Sequence, residues 1–264
     1  MAISTPPEAR QTQAGPRQRA EPSRSEWVAD RELLRWGGVS GLAGVVSMIG
    51  AIVVVVALGL PDASDSETLT DFADIESGRI AEHFFYLGAL VAFALHVFVL
   101  HRVLRATHQA AALFGTVTAA FGFVILAASS VLHMSTSPLS DLYTDPDTPA
   151  EDLPAIEYAW HGAQSVFDTM LATGLLLVPI GIVLLGVAMW RAPAFGSGVA
   201  TFALVVGAVG TLGAAIEIVV PGSDVSAASV FAIVLFHLVT GWWTFRLGDQ
   251  ERVQVASDEP TPVG

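Results

Sequence analysis

The sequence predicts an all-α polytopic membrane protein with six transmembrane helices, and three observations predict it. Apolar residues make up 53% of the 264-residue chain and charged residues only 14%, far from the balance of a soluble domain. Those apolar residues fall in blocks of about twenty or more with almost no charge inside them, which is the pattern of membrane spans. The arginines gather at alternate ends of these blocks, as the positive-inside rule requires of a multi-pass chain.

Taken in order, residues 1–25 are rich in Pro, Gln, Ala, Arg and Ser and read as a disordered cytoplasmic tail, with no apolar core for a cleavable signal peptide. The segment 26–36, "EWVADRELLRW", sets Trp27, Leu33, Leu34 and Trp36 among charges and reads as an amphipathic helix at the membrane surface. A transmembrane domain over 37–246 follows, with spans near 37–60, 80–104, 110–133, 162–190, 197–220 and 225–246. Pro61 and Pro221 stand just past two span ends, where a helix must stop. Residues 247–264 are polar and read as a second disordered cytoplasmic tail.

With both termini cytoplasmic in the cell membrane, Arg102, Arg105, Arg191, Arg246 and Arg252 lie inside and only Arg79 lies outside. Trp36, Trp190, Trp242 and Trp243 mark the inner boundary and Trp160 the outer one. The outer segments 61–79 and 134–160 are acidic. They read as a solvated, salt-adapted surface or as a funnel for cations, and no spacing in them resembles a calcium loop. A net charge of −13 argues against a nucleic-acid partner, and the absence of cysteine excludes disulfides and thiol chemistry. The partners expected are the lipid bilayer and a small cation or proton. A homo-oligomer stays open.

A gapless alignment of spans two and four sets Glu82 on Asp168, Gly88 on Gly174 and Arg105 on Arg191. The next spans open alike, "FGTVTAAF" at 114–121 against "FGSGVATF" at 195–202. This points to a parallel repeat in which helices two to five form a duplicated hairpin core, with helices one and six packed around it. The small residues of "GGVSGLAG" and of Gly207, Gly210 and Gly213 allow the close backbone approach that helices need in lipid.

Polar residues break into the spans at matched depth. His161, Ser165, Asp168 and Ala172 share one stripe of span four, with Gln164 beside it. Span two brings Glu82, His83 and Tyr86, span three Ser129, Ser130 and His133, and span five Glu217. An ionisable group inside a span costs on the order of 2.5–3.5 kcal/mol, so such groups are expected to face inward and meet in a shared outer-leaflet site. The candidate ion- or proton-binding residues are therefore Asp168, Glu217, His133 and His161, then Glu82 and His83. Deeper, His96 and His237 precede Arg105 and Arg246 by equal steps, so both should lie at one depth.

Four functions fit these residues. The first is a cation- or proton-binding site, with histidine titrating near neutral pH. The second is a haem b electron-transfer protein: the chain resembles six-span b-type cytochromes, which implies His96 and His237 as inner ligands and His83, His133 or His161 as outer ones. The step from His83 to His96 turns the helix by about 220°, which sets the two on different faces. The third is a zinc hydrolase: "SSVLH", with Ser129 four residues before His133, is similar to the ceramidase-type membrane hydrolases, which implies Asp168 as a further zinc-site residue. The later His-x-x-x-His of those enzymes is missing, since span six offers only His237. The fourth is a non-catalytic structural or partner-binding component. Cofactors stay open between haem b and a divalent metal, and the reading leans away from an enzyme. As a whole, the span layout of 37–246 and the paired "FG" openings resemble uncharacterised six-span bacterial integral membrane families of unknown function.

Overall fold

The computed structural model describes residues 24–61, 69–220, 223 and 225–257. The tails expected to be disordered lie outside these as far as residues 1–23 and 258–264 go, as do Asp62, Asp65, Glu67 and Pro221. The chain runs through α1 (Arg24–Leu58), α2 (Leu69–Met134), α3 (Ser137–Thr144), α4 (Leu153–Trp190), α5 (Gly196–Val219) and α6 (Ala227–Ser257). Among the described residues there is no strand, and five helices are long and apolar enough to cross a membrane. Large apolar side chains stand exposed along them, Val56 at 75%, Phe84 at 74% and Val46 at 70%. In water such surface would be an aggregation hazard, and lipid is the medium that suits it.

Helix α1 is continuous from Arg24, so residues 26–36 are its first turns rather than a separate surface helix. It ends where Gly59 turns to φ +62 and the Leu60 amide donates to the Val55 carbonyl at 3.0 Å, the six-to-one bond of a Schellman cap. Its small residues decide its neighbours. A Cβ on Gly41 would stand 2.8 Å from His96 Nδ1, and one on Gly38 would meet the backbone of Phe245. One face of α1 therefore lies against α2 and the next against α6. The Ser47 hydroxyl adds a 2.7 Å bond to the Phe85 carbonyl.

Helix α2 is two arms. Its backbone leaves helical geometry at His108 (φ −147, ψ 75), between 69–107 and 109–134. The arms fold back on each other, so that His83 of the first reaches Ser130 and His133 of the second and Phe93 meets Phe123 at 6.0 Å between ring centroids. The His108 ring caps the second arm by accepting the Ala111 amide at 3.3 Å. That second arm crosses α4 through glycines spaced seven apart on both helices. Cβ atoms on Gly174 and Gly122 would lie 3.1 and 3.2 Å from each other's carbonyl oxygens, and Gly115 and Gly181 face each other in the same way. Pro179 sits inside α4 and packs on Gly210 of α5.

Further features depart from the sequence reading. Among the described residues α5 packs on α4 and α6 and makes no contact with α2, so helices two to five do not close into a core of their own. Helix α6 instead lies along α1 and α5 and reaches both α2 and α4. The segment 134–160 is largely helical, as α3 and the start of α4, and α6 continues to Ser257. Trp160 is 2% exposed, its ring packed edge-on to Phe72, and so does not stand at the lipid boundary. Trp36, Trp190, Trp242 and Trp243 do stand exposed.

Candidate functional site

Two pairs of buried imidazoles form the polar interior. The first lies between the arms of α2, at the end away from His108. His83 Nε2 is 2.9 Å from His133 Nδ1, and His83 Nδ1 is 2.8 Å from Ser130 Oγ. All three side chains are buried. Phe167 of α4 covers the His133 ring at 4.5 Å and Phe72 flanks it at 5.7 Å. One turn before His83, Arg79 is buried as well. Its Nη1 donates to Glu82 Oε2 at 2.7 Å and its Nη2 to the Pro61 carbonyl at 2.8 Å, fastening the end of α1 to α2. Helix α3 closes this end: Ser140 donates to the Leu69 carbonyl at 2.6 Å, and Ser137 donates to Glu76.

This chain of hydrogen bonds has two polarities. If Ser130 donates to His83, then His83 donates to His133, and His133 Nε2 carries a hydrogen. If His133 donates to His83, then His83 donates to Ser130, and His133 Nε2 is a bare acceptor. That Nε2 is buried with no hydrogen-bond partner. The chain can switch polarity only if a proton gained at His133 Nε2 is matched by one that the Ser130 hydroxyl gives to an acceptor beyond it, each intervening hydrogen crossing one bond.

The second pair joins α2 to α6. His96 Nδ1 and His237 Nδ1 are 2.9 Å apart, both rings fully buried. Phe93 stacks on His237 at 4.0 Å and 18°, and Phe123 and Phe236 complete an aromatic surround. Axial ligation of haem places its imidazoles on opposite sides of the macrocycle. These two nitrogens touch, so the pair as arranged is a hydrogen bond. Among the described residues no three His, Asp or Glu side chains are placed to hold a metal ion together.

The other sequence candidates have contacts of their own. Asp168 is half-buried and accepts from Gln164 at 3.4 Å on its own helix. Glu217 accepts from Ser223 at 2.8 Å. The His161 side chain is 62% exposed, with Glu157 at 3.9 Å. Ser129 donates back to the Leu126 carbonyl at 2.8 Å, so the hydroxyl facing an imidazole is that of Ser130. Arg79 was marked in the sequence only as the lone outer arginine. The signal for it was its spacing: Arg79 and His83 stand one turn apart, as Ser130 and His133 do.

A family profile described as a domain of unknown function, DUF4386, matches residues 36–248. The chain belongs to that family. The matched DUF4386 segment runs from within α1 to within α6 and holds both imidazole pairs. It agrees with the kinship to uncharacterised families that the span layout implied. No curated protein and no solved structure matches the chain.

Proposed function

We propose that the protein is a six-span cell-membrane protein, both termini cytoplasmic, that takes up a proton on its outer side at the His83–His133 pair and relays it to Ser130. The six spans follow from counting the two arms of α2 separately, and the orientation from the arginines at their inner ends. The carrying observation is the unbroken chain Ser130–His83–His133, ending on an unpartnered buried nitrogen. A proton suits this site better than a metal cation, because among the described residues no third ligand joins the pair. Ser130 lies about 4.5 Å deeper than His133 along the second arm, so the relay runs inward.

The test is proton entry into proteoliposomes, read by a trapped pH-sensitive dye after an external acid step. Faster entry than in empty vesicles is expected for the wild type, and its loss in His83→Leu and Ser130→Ala. Equal rates in wild type, variants and empty vesicles would remove the reading. Asp168, Glu217, His161 and Glu82 are proposed as the surrounding polar surface through which protons reach the pair. Asp168→Asn should slow entry by a smaller factor than His83→Leu.

A further inference from the structure

The pair His96–His237 has a composition that helix packing alone does not account for. Two helices each bury an imidazole completely, Nδ1 facing Nδ1 at 2.9 Å, within an aromatic surround. Only one Nδ1 can carry the hydrogen of that bond, so the two rings take opposite tautomers. Both Nε2 atoms are buried without a partner, so one ring strands a donor and the other an acceptor, at about 1–3 kcal/mol each. A serine donating to a carbonyl, as Ser47 does to Phe85, ties two helices without stranding any nitrogen.

A cation between the two Nδ1 atoms lets both rings take the same tautomer, while both Nε2 atoms stay unpartnered. Both rings become Nε2–H and each lends one lone pair. No proton is gained or lost, since one hydrogen moves from Nδ1 to Nε2 of the same ring. The surroundings choose the cation. Zinc, calcium and magnesium call for four or more ligands, and no third His, Asp or Glu joins this pair among the described residues. The ring contacts of the pair are with Phe93, Phe123 and Phe236, and Gly41 backs His96, so none of these neighbours offsets a double charge. A single positive charge is within reach of two neutral imidazoles and the face of Phe93 stacked on His237. Metal–nitrogen bonds of roughly 2 Å would set the two Nδ1 atoms about 4 Å apart, so each ring withdraws by about half an ångström.

We propose that His96 and His237 form a linear two-coordinate site for a soft monovalent metal ion of the Cu(I) or Ag(I) class. The site is independent of the outer relay and shares no residue with it.

The test titrates the full-length detergent-solubilised protein with Cu(I), under reductant and against a chromophoric chelator, and separately with Ag(I). One ion per chain is expected, with X-ray absorption reporting two nitrogen ligands and no sulfur. His96→Leu and His237→Leu should each weaken binding at least about tenfold, while His133→Leu leaves it unchanged. Should those variants not fold, nitrogen NMR of the wild type decides. Ag(I) must shift two of the seven imidazoles and leave both in the Nε2–H tautomer. Failure to compete with the chelator, sulfur among the ligands, full binding by both His96→Leu and His237→Leu, or shifts elsewhere than two imidazoles would each overturn the site.

Discussion

The two imidazole pairs share a contact distance and differ in everything around it. Between the arms of α2, His83 and His133 continue into a serine hydroxyl, with an arginine–carboxylate pair one turn away. Between α2 and α6, His96 and His237 end in both directions on aromatic rings and stranded nitrogens. The first arrangement can pass a proton along. The second can only hold what is placed in it. The same residue pair at the same separation is thus a path or a trap, depending on its next neighbours.

The largest effect that separates the two regions should come from Arg79, which has no counterpart at the inner pair. Arg79→Leu removes the guanidinium that binds Glu82 and frees the Pro61 carbonyl, and should cost about 3–5 kcal/mol in chemical unfolding of the solubilised protein. A loss below about 1 kcal/mol would mean that the ion pair is not what holds that end of the bundle. Next comes the packing that sets the arms of α2 against α4. Gly122→Leu places atoms on the α4 backbone and should cost about 1–3 kcal/mol, whereas Gly162→Leu, with open space around it, should stay within about 0.5 kcal/mol.

A double-mutant comparison tests the contrast directly. His237→Leu alone strands His96 Nδ1 and should cost about 1–3 kcal/mol, and adding His96→Leu should recover most of that, because both ends of the bond are then apolar. At the outer pair, His83→Leu with His133→Leu should recover little, since Ser130 remains buried without its partner. Equal recovery at both pairs would dissolve the distinction between them. The smallest effect is Ser47→Ala, about 0.6 kcal/mol for one bond between helices in lipid, measured by the same unfolding assay.

The helical membrane architecture was legible because long uncharged apolar runs have few alternatives. The end of α1 was legible too, since Pro61 stands just past it, where a helix must stop. Depth was also readable: equal steps to Arg105 and Arg246 bring His96 and His237 to one level, and the structure sets them in contact. Direction around the helix axis was not readable, because it depends on which helix lies alongside. Depth alone grouped His161 with His133, yet the His161 side chain stands largely exposed while His133 is buried under Phe167. For the same reason the expected core of helices two to five does not account for α5, which packs on α4 and α6 and not on α2 among the described residues. Helix α3 escaped notice because eight residues between acidic turns carry no span-length signal.

The break at His108 has a mechanical consequence. With no intervening loop, the arms of α2 cannot slide past each other and can only swing about that residue. His83 sits about 38 Å along its arm from the pivot, so an opening of about 3° would part it from His133 by about 2 Å. A disturbance too small to notice at the His108 elbow is therefore magnified at the far tip, where the imidazoles meet.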